Sequence, residues 1–184
     1  MKRPSGSSNP CGVDPRPGAA QRSTLAALGL ALAVAACGAK EAHVSRPDPV
    51  ATAALLLDAN PAVRQEALRV LESLGAAAAP VVPALIAALA DPDPRVREGA
   101  GKTLTAVGPV AAEAVPNLIR ATMDEDDFVR LRAIQALGAI GPKARAAIPS
   151  LEAHAVDADE VEDLKLYCKE SLRLIRGGDG AGSR

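Results

Sequence analysis

Residues 91–108 read DPDPRVREGAGKTLTAVG, and the same pattern recurs at a spacing of 33 residues on both sides of them. A looser copy follows at a spacing of 35 residues, where Leu164, Cys168, Leu172 and Ile175 continue the apolar positions. Self-similarity at a fixed period of this length is the signature of a repeat architecture. The matching positions of the first three copies are Val63, Val96 and Val129; Arg64, Arg97 and Arg130; Ala67, Ala100 and Ala133; Leu71, Leu104 and Leu137; Gly75, Gly108 and Gly141.

Each copy predicts two short antiparallel helices. Apolar residues recur at i, i+4, i+8 and i+11, which places them on one helical face. A proline near the start of the first helix and a glycine after the second are typical helix boundaries. The turn between them, Asp91–Pro94 in the second copy, carries turn and capping chemistry. The leading helix of the first unit is predicted over residues 49–58. We place the units at residues 48–75, 80–108, 113–141 and 146–177 of a repeat region that spans 48–177.

This pattern resembles HEAT repeats, in particular the short bacterial type that is also found in phycobilisome lyases. The resemblance is carried by the turn 91–97, by the following Ala100, Leu104 and Gly108, and by the segment 114–118. It implies an all-α fold, a right-handed solenoid of about four two-helix repeats whose second helices line the concave side. Because one unit alone cannot bury its apolar face, stacking of neighbouring units supplies the core.

The beginning of the chain predicts a targeting segment rather than part of the fold. Residues 25–36 form an uninterrupted apolar run behind Arg16 and Arg22. Twelve helical residues rise about 18 Å, which is too short for a hydrocarbon core of about 30 Å. A short apolar core that follows positive charge and ends in small residues is typical of a cleaved signal peptide, which we assign to residues 1–36. The region before the apolar run is long for such a signal, which favours a translation start downstream of residue 1.

The end of this leader, Val34-Ala35-Ala36-Cys37-Gly38, resembles the lipobox of bacterial lipoproteins. The resemblance implies cleavage before Cys37, a lipid on its sulfur and acylation of the new amino terminus. Residues 37–47 are then a lipid-anchored tether, and Gly38 favours the outer membrane over the inner membrane. The alternative interpretation is a chance cysteine after an alanine-rich segment. At the other end, the polar residues 178–184 are predicted to be a disordered tail.

The composition excludes several classes of function. Aromatic residues make up 1% of the chain, it has two histidines, and its formal net charge is −1. Base-stacking platforms, histidine-rich metal or acid–base sites, and binding to polyanions are therefore not expected. We expect no enzyme activity, no cofactor, no metal, no nucleic acid and no small-molecule substrate.

The segment Gly99–Thr103 looks like the end of a phosphate-binding loop but does not qualify as one. Val96 stands where that motif needs its first glycine, and the repeat register places the segment inside a helix. The two glycines instead cost helix stability, about 1 kcal/mol each relative to alanine. Since Gly101 replaces the Leu68 and Ile134 of neighbouring units, we expect the second unit to be the loosest.

Aspartate–arginine pairs recur with the repeat and are interpreted as a structural ladder. The aspartate is expected to cap the start of the second helix and to meet an arginine of the neighbouring unit. A ladder that binds a charged ligand is the alternative. The pairs are Asp58 with Arg64, Asp91 with Arg97, Asp124 with Arg130 and, at a looser spacing, Asp157 with Lys165.

Acidic runs in the third and fourth turns, at residues 124–127 and 157–163, predict an acidic edge of the solenoid. A solvated edge is the first interpretation; weak binding of a divalent cation or of a basic partner is the alternative. The sequence also predicts the environment of four single residues. Cys168 is expected to be a buried, inert thiol, His154 a surface residue, and Phe128 and Tyr167 residues that pack at turns.

A binding surface, if there is one, is predicted along the second helices. Its positions repeat at i, i+4 and i+7, lie off the core face, and differ between units, which suits a protein-binding strip as well as plain exposure to solvent. In it, Leu131 and Leu166 are expected to be exposed apolar side chains. We call these positions the polar strip: Gln65, Arg69, Glu72; Glu98, Lys102, Thr105; Leu131, Gln135, Gly138; Leu166, Glu170, Arg173.

Taken together, these features predict a lipid-anchored, non-catalytic scaffold that binds an unidentified protein at the cell envelope. Two alternatives stay open: an accessory subunit of an enzyme, which the likeness to lyase repeats suggests, and a structural or metal-binding envelope protein that uses the acidic edge.

Overall fold

The computed structural model describes residues 46–158 and 160–177 of the 184-residue chain. Within these residues every regular element is helical and no strand occurs. The predicted signal peptide, Cys37 with most of its tether, and the tail 178–184 lie outside the described residues. The α-helices are α1 Pro49–Ala54, α2 Pro61–Leu74, α3 Val82–Ala88, α4 Pro94–Val107, α5 Val115–Ala121, α6 Asp127–Ile140, α7 Ile148–Val156 and α8 Glu162–Ile175.

The second helix of each unit is the long one, and its start is set by a side-chain cap. The Oδ1 atom of Asp93 accepts from the backbone N–H of Arg95, and Pro94 follows the cap at the first helical position. Asn60 and Asp126 cap α2 and α6 in the same way. The prediction that the ladder aspartates are the caps was therefore wrong by two residues, because the extended cap position falls after the turn and not at its beginning.

The long helices end at glycines, as predicted. Gly75, Gly108 and Gly141 have φ angles of +55°, +70° and +69°, a left-handed region that a side chain disfavours. Each is followed by a 3₁₀ segment that the sequence pattern did not predict. These segments are Gly75–Val81, Gly108–Ala114 and Gly141–Ala147.

The leading helix of the first unit is shorter than the predicted 49–58. Its α-helical part is Pro49–Ala54, and a 3₁₀ turn at Leu55–Leu57 brings the chain to Asp58. Asp58 has an extended backbone because it already belongs to the turn.

The core lies between the first and second helices of the stack. Leu71, Leu104 and Leu137 from the second helices are fully buried, as are Leu85 and Leu118 from the first helices. The long helices pack side by side in chain order, α2 with α4, α4 with α6 and α6 with α8. The all-α fold built from stacked helix pairs is thereby confirmed.

Two glycines allow the long helices to approach each other closely. A Cβ atom at Gly101 would lie 2.7 Å from the Cβ of Arg132, and one at Gly138 would lie 2.7 Å from Ser171 Oγ. Between α4 and α2, Thr103 Oγ1 donates to the backbone carbonyl of Leu68 at 3.2 Å. Gly101 therefore has a packing role in the second unit, which its low helix propensity did not indicate.

One helical stretch, Pro61–Ala88, is long and apolar enough to cross a membrane by length and composition alone. It comprises α2, a 3₁₀ segment and α3, and the chain turns at Gly75. Its buried residues, among them Leu71 and Leu85, belong to the core of the stack. The stretch is thus explained as repeat structure.

Candidate functional site

The arginines of the ladder bridge successive turns. In the first unit, Arg64 Nη1 donates to the carbonyl of Asp58 at 2.8 Å, and Nη2 donates to Asp91 Oδ1 at 2.8 Å. Each arginine thus holds the backbone of its own turn and the carboxylate of the next turn. Asp91 Oδ1 also accepts from the backbone N–H of Asp93 at 2.9 Å, which fixes the shape of the turn.

In the ladder, the pair of Arg97 and Asp124 has the most complete hydrogen bonding. Its Nε and Nη2 atoms donate to the two carboxylate oxygens of Asp124 at 2.9 and 2.8 Å, a bidentate pair. Its Nη1 donates to the carbonyl of Asp91 at 3.0 Å. In contrast, the buried Nε atoms of Arg64 and Arg130 have no hydrogen-bond partner among the described residues.

The environment of Arg97 and Asp124 favours the ionised form of both side chains. The hydrogen bond with Asp124 raises the pKa of Arg97 above its usual value, and outweighs the opposing effect of burial. Burial acts to raise the pKa of Asp124, but the hydrogen bonds from Arg97 and from the backbone of Asp126 keep it below the usual value. Both shifts favour the ionised forms, which is consistent with a structural ion pair.

The fourth turn departs from the pattern. Arg130 Nη2 donates to Glu160 Oε1 at 3.1 Å, so Glu160 takes the place that the register assigns to Asp157. The two additional residues of this turn move the carboxylate along the chain. Burial acts to raise the pKa of Glu160, yet hydrogen bonds from His154 and Arg130 lower it overall.

His154 is buried, so its assignment to the surface was wrong. Its Nδ1 atom donates to Glu160 Oε2 at 2.8 Å, while its buried Nε2 atom has no hydrogen-bond partner among the residues described. His154 occupies the register position of the buried Ala88 and Ala121. That alignment was the signal that could have revealed its burial.

The three other single assignments have mixed outcomes. Cys168 is fully buried, as predicted, and burial raises the pKa of its thiol to about 11. Phe128 and Tyr167 are exposed instead of packed at turns; Phe128 is the second residue of α6, and Tyr167 lies within α8. For the acidic edge, the described part of the chain holds no group of three or more His, Cys, Asp or Glu side chains that could bind a metal ion.

The polar strip lies on the long helices with uneven exposure. Arg69, Glu72, Leu166, Glu170 and Arg173 are exposed, whereas Gln65 and all strip residues of the middle units except Gly138 are half-buried. Leu131 was expected to be exposed but packs against the core at its edge. Gly138 is buried because Ser171 of the next unit lies against it. The half-buried members are Gln65, Glu98, Lys102, Thr105, Leu131 and Gln135.

A groove of about 240 Å³ opens on this strip between α2 and α4. Its floor contains Leu68 and Gly99, and Arg95 lies at one side. Five predicted strip residues line it as well: Gln65, Arg69, Glu72, Glu98 and Lys102.

Gly99 is the reason that the groove is open at this level. In the next unit its register position holds Arg132, whose Nε donates to Glu98 Oε1 at 3.3 Å and whose Nη1 donates to Gln135 at 2.9 Å. That side chain lies across the strip, whereas Gly99 has none. Sequence reasoning used Gly99 only as a helix-weakening residue and did not predict the groove.

A second groove of about 300 Å³ lies between the first helices α3 and α5 and was not predicted. It is lined by apolar residues of both helices together with Asn117, Arg120 and Asp124. Asp124 belongs to the ladder, so this groove reaches the ladder from the side opposite the strip.

Stacked helix pairs with a ladder at one edge and a variable strip on the long helices define a helical-repeat protein. The sequence profile of HEAT repeats matches residues 49–113 and 82–172. These matches together cover most of the chain, which therefore belongs to the HEAT-repeat family. No curated protein matches the chain in sequence.

Two crystal structures of engineered proteins from the Northeast Structural Genomics Consortium are similar in fold. The first has a TM-score of 0.61 and 22% identity, with 71% of this chain and 63% of that chain covered. The second has a TM-score of 0.59 and 20% identity, with 70% of this chain and 37% of that chain covered. This chain thus spans less than two thirds of either protein, and the likeness concerns the fold alone.

Proposed function

We propose that this HEAT-repeat chain is a non-catalytic scaffold that binds a protein partner through the polar strip while a lipid on Cys37 holds it at the cell envelope. The groove between α2 and α4 is the observation that supports binding of a partner through the strip. Five of the residues that line it are strip positions predicted from the sequence. Concave clefts of this kind are where ligands and partner side chains dock.

The charges around the groove suit a partner of mixed polarity. Arg69 and Glu66 form an exposed pair at 3.3 Å, and Lys102 lies 3.4 Å from Glu98. The first pair is exposed and the second is half-buried; surface pairs of this kind contribute little to stability, so they can exchange partners at low cost. The floor residue Leu68 adds an apolar contact.

Replacing Arg69, Lys102 and Leu166 by alanine together is expected to reduce partner recovery about tenfold in cross-linking from envelope extracts. Leu166 is chosen over Leu131 because it does not pack against the core. The matched control changes Lys143, Arg145 and Val110, two cations and one apolar side chain that are exposed away from the strip. Equal recovery with both triple variants would remove the strip as the binding surface.

The anchoring half rests on the lipobox resemblance around Cys37. Each acyl methylene buried in a bilayer contributes about 0.8 kcal/mol, so several chains on one residue hold a protein firmly. Anchoring raises the effective concentration of the scaffold near membrane-bound partners. The glycine at position 38 supports the outer membrane as the location.

Cys37→Ala is expected to abolish incorporation of labelled palmitate and to move the protein from the detergent phase to the aqueous phase. Cys168→Ala, which changes the other cysteine of the predicted mature chain, is the matched control and is expected to change neither readout. Labelling that persists in the Cys37 variant would contradict the anchor.

A further inference from the structure

An apolar side chain recurs at the exposed end of every first helix. Leu57, Ala90, Met123 and Val156 occupy one register position, each 33 residues after the last, and each directly precedes a turn. All four are exposed, with Leu57 at 89%, Met123 at 74% and Val156 at 81%. We call these four residues the apolar row. It lies at the ladder edge and does not overlap the polar strip.

The ladder keeps the members of the row in order. Leu57 precedes Asp58, whose turn is joined by Arg64 to the turn of Asp91, and Arg97 joins that turn to the one after Met123. Neighbouring packed helices lie about 8–10 Å apart, so successive members of the row are spaced by about that distance.

Negative charge borders the row. Glu125 and Glu162 are 88% and 87% exposed, and Asp127 is exposed too. Among the cations at this edge, Arg97 and Arg130 are 10% and 17% exposed within the ladder, whereas Arg120, which lines a groove together with Ala90, is exposed. With three exposed carboxylates against this one exposed cation, the surface around Met123 and Val156 is predominantly acidic.

We propose that the apolar row docks an amphipathic helix of a partner protein, with apolar residues at every seventh position and lysine or arginine beside them. Seven helical residues rise about 10.5 Å, close to the spacing of the row, whereas alternate residues of an extended strand lie only about 6.8 Å apart. The bordering carboxylates attract the basic flanks and repel an anionic membrane. This surface is separate from the scaffold function proposed above and does not depend on it.

The test uses the full chain and a fluorescein-labelled helical peptide with leucine at every seventh position and lysine at the flanking positions. The lysine peptide is expected to bind in a salt-dependent manner, and the same peptide with glutamate in place of lysine is not. The triple variant Leu57→Gln, Met123→Gln, Val156→Gln is expected to bind the lysine peptide about tenfold more weakly. Circular dichroism checks that it remains folded.

Val110→Gln with Leu174→Gln is the matched control, because both residues are exposed apolar side chains away from the row; its affinity is expected to stay within about twofold of the unchanged chain. Equal binding of the lysine and glutamate peptides, or an unchanged affinity in the triple variant, would overturn the proposal. Co-sedimentation of the Cys37→Ala chain with vesicles of phosphatidylglycerol and phosphatidylethanolamine tests whether the row binds a lipid surface instead. Co-sedimentation that depends on the row would likewise overturn it.

Discussion

Arg97→Met is expected to lower the free energy of unfolding by about 3 kcal/mol, because it leaves the carboxylate of Asp124 buried and unpaired. The two side chains are 10% and 13% exposed and share two hydrogen bonds. The substitution also removes the hydrogen bond from Arg97 to the carbonyl of Asp91, so two turns lose their link. Urea denaturation followed by circular dichroism measures the loss.

Two further variants separate the ion pair from general effects of the substitution. The double variant Arg97→Met with Asp124→Asn leaves no unpaired charge and keeps an acceptor for the backbone of Asp126, so it is expected to lose less than Arg97→Met alone. Arg69→Met, on the exposed surface, is expected to change stability by less than about 0.5 kcal/mol. If Arg97→Met lowered the free energy of unfolding no more than Arg69→Met, the ladder would not contribute to the stability of the fold.

Gly101→Ala is expected to destabilise the protein by about 1–3 kcal/mol, even though alanine is the better helix former by about 1 kcal/mol. The added Cβ would lie 2.7 Å from Arg132 Cβ, an atom attached to the backbone that cannot move without shifting α6. Thermal and urea denaturation both report the change.

Gly99→Ala serves as the control on the same helix. Its added Cβ would lie 3.0 Å from Leu68 Cδ1, the end of a side chain that can adjust, so we expect the steric cost to offset most of the gain in helix propensity. A net change within about 1 kcal/mol is expected. A stabilising Gly101→Ala would show that α4 and α6 are not in close contact.

The scaffold proposal and the apolar-row proposal concern two binding surfaces of different chemistry on the same stack of helices. The groove by Gly99 offers a half-buried pocket with charges of both signs, whereas the row offers apolar side chains beside exposed carboxylates. The two surfaces lie on different helices of each unit, so variants of one leave the side chains of the other in place.

Much of the fold was predictable from the sequence because its signals are local. The spacing of 33 residues, the capping turns and the positive-φ glycines such as Gly108 act within one unit, and the burial of Cys168 followed from the register. The polar strip was placed on the long helices for the same reason. The 3₁₀ segment that follows each of these glycines was missed, since a glycine stop predicts where a helix ends but not the conformation that follows.

The features that sequence reasoning missed depend on distances between units. Whether Gly101 weakens or tightens its unit depends on Arg132 of the next unit, whereas the burial of His154 could have been inferred from the register position that it shares with Ala88 and Ala121. Helix periodicity and turn chemistry come from neighbours along the chain, so one repeat is enough to specify them. Contacts between repeats depend on how closely whole helices approach, which is settled only when all the units pack against one another.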